Sequence, residues 1–194
     1  MNPYFLPVPL EKAYRLLNHG PTVLISASHQ GQHNAMAAAW VGALDFNPPK
    51  ITAVIDKSTA TRALVDASGE FVVQVPNAAQ ADLVWKLGTT SQLKNPNKLA
   101  DAGVKLFNVP ETNTCLIEGC SAWLACRVLP NTQTQVPYDL FLVEVTAAWA
   151  DERIFSQGHW LFETADPTWR SLHHVAGGQF YAIGEPVAAA GDAV

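Results

Sequence analysis

The sequence predicts a mainly β domain, an antiparallel barrel, closed or partly closed, with short flanking helices. Three observations carry this. Apolar runs of strand length recur at residues 22–27, 51–55, 70–75, 115–128 and 140–149, with turn-forming Gly, Pro and Asn between them. The helix-like stretches do not alternate with strands as a doubly wound sheet requires. The chain's 194 residues, 48% hydrophobic and 15% charged, suffice for one core and are too apolar for a disordered chain.

Leu10, Ala13, Tyr14 and Leu17 stand at helical spacing, and Gly20-Pro21 stops that helix. Residues 22–27 read as a strand, Gln30-Gly31-Gln32 as a tight turn, and 33–44 as one long returning strand ending at Asn47-Pro48-Pro49. After the strand at 51–55, Ser58 is placed to cap a helix running to Asp66, and 70–75 is the next strand. Between 77 and 103 two short helices are expected, one opened by Asn77 with Gln80 as a capping box, the other opened by Asn95-Pro96 and closed by Gly103. Gly88-Thr89-Thr90-Ser91 reads as a polar loop between them, and residues 130–137 as a turn-rich loop between the last two long strands. Residues 1–184 make one domain, and the small-residue tail 185–194 is expected to fray.

Charge and cysteine usage narrow the function classes. The net charge of −5 is uneven: nine basic against seven acidic side chains in residues 1–110, three against ten in 111–194. No basic tract is available to neutralise a nucleic-acid backbone. The N-terminal Met1-Asn2-Pro3-Tyr4-Phe5-Leu6-Pro7-Val8-Pro9 lacks a basic region and is broken by prolines, so neither a secretory leader nor a membrane span is expected. Cys115, Cys120 and Cys126 are odd in number and form no Cys-x-x-Cys pair; they read as buried, reduced thiols of a cytoplasmic protein. The His29…His33 spacing falls on a hairpin tip without a third ligand, and no metal is expected. Dinucleotide, P-loop and nucleophile-elbow glycine patterns are absent.

Three segments are candidates for chemistry. Asn34-Ala35-Met36-Ala37-Ala38-Ala39-Trp40 puts poor strand formers in a strand, which either lets a flat ligand lie against the backbone or lets another element pack closely. Lys57-Ser58-Thr59-Ala60-Thr61 gathers a cation, hydroxyls and helix-start N–H groups, as an anion site or an ordinary cap does. Phe155, Trp160, Phe162, Trp169, Phe180 and Tyr181 crowd the C-terminal stretch as a pocket wall, a subunit contact or a wrap completing the core, with His173 and His174 among them.

Taken in order, these segments resemble the flavin reductase-like family of FMN-binding split barrels, over about residues 8–184. The likeness rests on residues 34–40 leading to Asn47-Pro48-Pro49, on Lys57-Ser58-Thr59-Ala60-Thr61, and on Gly69-Glu70-Phe71-Val72-Val73-Gln74-Val75-Pro76. Gly88-Thr89-Thr90-Ser91, Tyr138-Asp139-Leu140-Phe141-Leu142-Val143-Glu144-Val145 and Gly177-Gly178-Gln179-Phe180-Tyr181 follow as later landmarks. The resemblance implies a homodimer of split barrels with FMN near the subunit interface. It assigns the flavin edge to Met36, Ala37, Ala38 and Ala39, the phosphate to Lys57, Ser58 and Thr61, and further contacts to Asn34, Thr89 and Ser91. It also implies NADH or NADPH as electron donor, with the flavin passing electrons to an acceptor; the alternatives are an electron carrier of the flavoredoxin kind that acts with a protein partner, or a split-barrel binding module that has lost flavin. Relatives often carry Ser-Gly-Arg after the polar loop, where this chain has Ser91-Gln92-Leu93-Lys94-Asn95-Pro96-Asn97-Lys98. Lys94 or Lys98 can then substitute only as a point charge, without a bidentate grip.

Overall fold

The computed structural model describes residues 2–189. Its strands are β1 (Phe5–Pro7), β2 (Val23–His29), β3 (Gln32–Ala38), β4 (Val41–Phe46), β5 (Pro49–Val54), β6 (Glu70–Val75), β7 (Leu106–Phe107), β8 (Leu116–Ile117), β9 (Ala122–Leu129), β10 (Leu140–Asp151), β11 (Phe155–Ser156), β12 (His159–Trp160), β13 (Leu172–Ala176) and β14 (Gln179–Ala182). The α-helices are α1 (Ala60–Ser68), α2 (Ala81–Thr89), α3 (Lys98–Asp101) and α4 (Thr132–Tyr138).

The main sheet runs β3-β2-β6-β9-β10-β5-β4, antiparallel throughout, with β1 added beside β10. β3 and β4 stand at opposite ends of that path, yet only Ala39 and Trp40 separate them in the chain. Two residues span little more than 10 Å, so the sheet must roll until its ends meet at this corner. The Trp40 carbonyl accepts from the Val54 N–H (3.0 Å) there, while β3 and β4 themselves do not pair. The result is a mostly β, antiparallel split barrel.

Alternation along β2 explains why its run is apolar almost throughout. Val23, Ile25 and Ala27 enter the barrel core with Ile51, Phe71, Val73, Leu124, Phe141 and Val143. Leu24 faces outward into a second core with Ala35, Val72, Trp123 and the α2 residues Val84 and Leu87. A strand buried on both faces loses the polar alternation of a half-exposed one. The β2–β3 turn is Gln30-Gly31, both at positive φ (48° and 78°), which matches the two-residue hairpin loop that twisted strands favour.

Several expectations are corrected. The expected strand 33–44 is two strands, because its halves pair with different neighbours, β3 with β2 and β4 with β5. The expected first helix is a 3-10 helix, Leu10–Leu16, which turns Ala13, Leu16 and Leu17 inward and leaves Leu10 exposed. Thr59, not Ser58, caps α1: its Oγ1 accepts from the Arg62 N–H at 3.2 Å. The loop at 130–137 contains α4, capped by Asn131, which takes the Gln133 N–H. Gly88 and Thr89 belong to the last turn of α2 rather than to a loop. Of the expected capping box, the Gln80 half forms ahead of α2: the Gln80 side-chain oxygen accepts from the Asn77 N–H at 3.3 Å, while Asn77 Oδ1 has no partner. All three cysteines are buried and free, and burial pushes the Cys120 thiol up to about 12. Of the tail, residues 190–194 lie outside the described residues; Glu185 pairs with Arg170 at 2.6 Å. No described helix is long and apolar enough to cross a membrane.

Candidate functional site

Two clefts adjoin along β3. The first, of about 210 Å³, is lined by Asn34, Met36 and Ala37 of β3, Ser58 to Thr61 at the start of α1, Leu87 to Gln92 at the end of α2, and Lys98 of α3. The second, of about 240 Å³, is lined by Thr22, Ala37, Ala38, Ala39, Val84, Trp85, Gly88, Thr89, His174 and Phe180. Ala37, Gly88 and Thr89 belong to both. The clefts therefore form one continuous site, polar at one end and aromatic at the other.

β3 can serve a ligand because it is an end strand, hydrogen-bonded only to β2. In an antiparallel pair the N–H and C=O of one residue point the same way, alternating from residue to residue. The His33 carbonyl turns away from β2 and accepts from Gln92 Nε2 at 2.9 Å. By alternation, Ala35 and Ala37 also turn their backbone groups outward, and Ala37 does so where the two clefts meet. Its side chain must be small, since a Cβ on Gly88 would lie only 3.2 Å from the Ala37 Cβ. The close-packing reading of the alanine-rich segment holds: α2 packs closely on β3, and that packing leaves the strand edge open beside it.

At the polar end, Asn34 is buried and its Nδ2 donates to the Thr61 hydroxyl at 3.0 Å, while Asn34 Oδ1 is buried with no partner. An orphaned buried acceptor is costly and points to a donor the chain itself does not supply. Lys98 is only 3% exposed, and burial lowers its pKa to about 8. Ser91 and Thr89 add hydroxyls, although the Thr89 hydroxyl hydrogen goes to the Trp85 carbonyl at 2.8 Å. Ser58 lines the cleft, but its N–H and hydroxyl both donate to Asp56, at 2.7 and 2.6 Å, and those bonds hold that carboxyl below its usual range. Lys57 is exposed and lines neither cleft.

At the aromatic end, the β13–β14 hairpin leans over α2, with Gly178 against the Trp85 ring. The hairpin is anchored by the His174 N–H, which donates to Thr22 Oγ1 at 2.7 Å. The His174 ring lies against Phe180 at 5.4 Å and pairs its Nε2 with the Gly177 carbonyl at 2.9 Å. His173 points elsewhere, toward the Gly20 carbonyl, and lines neither cleft. Sequence reasoning missed Trp85, whose signal is a large aromatic one helical turn before the close-packed Gly88-Thr89 pair.

A larger cleft, of about 420 Å³, opens between Phe5, Phe107 and Trp123. Its one ionisable group is the Glu118 carboxylate, so despite its size it lacks the convergent donors of the β3 site. Among the described residues no cluster of three or more His, Cys, Asp or Glu is placed to hold a metal.

Comparison with known proteins places this geometry in a family. Residues 15–166 match the flavin reductase like domain. An uncharacterized protein, YddH, of Escherichia coli (strain K12) is 40% identical over 188 residues, covering 95% of this chain and 98% of the relative. The solved FMN-binding domain of a flavin reductases-like enzyme from Shewanella baltica OS155 is 54% identical, covers 95% of this chain and 97% of that one, and superposes with a TM-score of 0.94. Flavoredoxin of Desulfovibrio vulgaris (Miyazaki F), 21% identical over 88% of this chain and 90% of its own, shares the fold with a TM-score of 0.75. The chain belongs to the flavin reductase-like domain family.

Proposed function

We propose that the protein is an FMN-binding oxidoreductase that takes reducing equivalents from NADH or NADPH and passes them to an acceptor. The observation that carries this is the outward backbone edge of Ala37, set where a polar cleft and an aromatic slot meet. A flavin mononucleotide fits that layout: a flat ring with hydrogen-bonding groups along one edge, a polyol, and a terminal anion. The unpartnered Asn34 Oδ1 suits a ligand hydroxyl, and Lys98 suits a phosphate. The 54% identical Shewanella relative is described as FMN-binding, which supports the same ligand here.

When bound, the flavin supplies hydride and electron transfer, chemistry that no side chain provides. The chain's part is to bind and orient. Ala37, with Met36, Ala38 and Ala39 beside it, holds the ring edge; Asn34, Thr61, Thr89 and Ser91 hold the polar chain; Trp85, His174 and Phe180 wall the slot and limit water. The exposed Trp40 (75%) just before β4, with Leu44 (53%) and Phe46 (65%) on it, supports a proposed cytoplasmic homodimer in which β4 is the surface for the second copy. Purified protein is expected to be yellow, or to turn yellow with FMN, and to bleach anaerobically on addition of NADH or NADPH. Protein that neither retains nor takes up FMN contradicts the proposal. A loaded protein bleached by neither nucleotide removes the nicotinamide donor and leaves an electron carrier.

A further inference from the structure

We propose that the cleft walled by Phe5, Phe107 and Trp123 is a binding site for a small organic cation of the quaternary ammonium class, held by the aromatic rings and the Glu118 carboxylate. The cleft, of about 420 Å³, shares no lining residue with either cleft along β3, so the proposal stands apart from the flavin reading.

The topology gathers the rings from distant parts of the chain. β1 lies beside β10, which stacks Phe5 on Trp149 with centroids 5.5 Å apart. The β7–β8 hairpin brings Phe107, and β9 supplies Trp123, which is 1% exposed and forms the floor. Phe5 stands at 86° to Phe107 and 65° to Trp123, and Phe107 at 83° to Trp123, with centroids 5.4, 5.0 and 6.0 Å apart. Three planes so inclined make a corner, which suits a rounded tetrahedral group better than a flat ring. Aromatic faces carry negative potential and attract cations, the more so where water is displaced. The molecule uses the same attraction elsewhere: Arg153 lies 4.2 Å from the Tyr4 ring centroid and 4.7 Å from that of Trp169. Among the described residues no cation stands over Phe5, Phe107 or Trp123.

The rim supplies the charge. Glu118 joins no ion pair among the described residues, although Lys105 stands opposite it across the hairpin and accepts its N–H at the backbone, at 2.9 Å. The nearby Asp151 is already neutralised by Arg153 at 2.6 Å, so Glu118 is the uncompensated group. The other acceptors at the rim are taken. The Gly119 carbonyl accepts from Asn77 Nδ2 at 2.8 Å, the Glu118 carbonyl from Gln80 Nε2 at 3.2 Å, and Asn2 Oδ1 from the Tyr4 N–H at 3.0 Å. A primary ammonium brings three N–H donors and would leave most of them unmet here. A quaternary ammonium brings none, and asks only for ring faces and a carboxylate. That charge complementarity, with the occupied acceptors, selects the class of ligand.

The test is equilibrium titration of the full chain with choline and with its neutral isostere 3,3-dimethylbutan-1-ol, followed by saturation transfer from the protein to the ligand's methyl protons. The two probes share a shape and differ in charge. Wild type should bind choline at least about tenfold more tightly than the alcohol. Glu118→Gln, at an exposed side chain, should weaken choline about two- to fivefold and leave the alcohol unchanged. Phe107→Leu keeps an apolar wall but removes a ring face, and should weaken choline about three- to tenfold, more than it weakens the alcohol. Equal binding of the two probes by the wild type makes the cleft a plain apolar one and overturns the proposal. Absence of choline binding, or choline binding unchanged in both variants, overturns it as well.

Discussion

β3 and β4 are the two end strands of one sheet, separated by Ala39 and Trp40, and they present different chemistry. β3 carries small side chains, is flanked by α1 and α2, and opens its backbone edge into a pair of clefts. β4 carries Leu44 and Phe46 on an open surface beside Trp40. Both edges have unsatisfied backbone groups, a hazard that proteins cover in one way or another. Here the edge with small residues suits a small flat molecule, and the edge with large apolar residues suits another protein surface.

That contrast is broken most severely at β4. Trp40→Ser combined with Phe46→Lys should convert the proposed dimer to monomer at micromolar concentration, since exposed aromatic anchors each contribute about 2 kcal/mol or more to an interface. Sedimentation equilibrium reads this directly; an unchanged mass for the variant, or a monomeric wild type, removes β4 from the account.

On the β3 side, the slot's hairpin wall stands next to a pH-sensitive group. His19 packs edge-on against the stacked rings of Trp160 and Phe162, with ring centroids at 5.1 and 5.4 Å, and neither of its ring nitrogens has a hydrogen-bond partner. Burial first, and the neighbouring His173 second, lower its pKa to about 4. The folded state therefore favours neutral His19, while the unfolded chain takes up a proton below about pH 6.5. Stability is full above that value and falls as pH drops from 6.5 toward 4, by about 3 kcal/mol at most. His19→Phe should flatten the acid limb of a denaturant-midpoint profile; a slope unchanged in that variant assigns the acid sensitivity elsewhere.

Smaller effects separate the two hydroxyls once grouped as one anion site. Thr61→Val strands the buried Asn34 Nδ2 and should cost about 1–3 kcal/mol in urea unfolding. Ser58→Ala removes only an exposed contact to Asp56 and should stay within about 0.5 kcal/mol. Equal costs would show that burial of the Asn34–Thr61 pair is not what distinguishes them.

The same contrast explains what was legible in the sequence. β6 is read at its observed bounds because a buried apolar run flanked by Gly69 and Pro76 has one interpretation. The small-residue strand and the start of α1 are legible as candidate sites because their composition is unusual for their element. The break at Ala39-Trp40 is not, because a strand's own pattern does not say which neighbour it pairs with. The burial that sets Lys98 apart from the exposed Lys57 is hidden for a similar reason: both are lysines near polar residues, and only one stands beside Leu99 and Ala102, which pack into the second core. α4 is missed because Thr-Gln-Thr-Gln before Pro137 has weak helix propensity, overridden by the Asn131 cap.

The central claim, that flavin lies along the edge of β3 at Ala37, is tested most directly by titrating wild type and Ala37→Leu with FMN. A leucine there fills the junction of the two clefts, so affinity should fall about tenfold to a hundredfold while the far-ultraviolet circular dichroism is unchanged. FMN affinity equal to wild type in a folded Ala37→Leu protein would contradict the account.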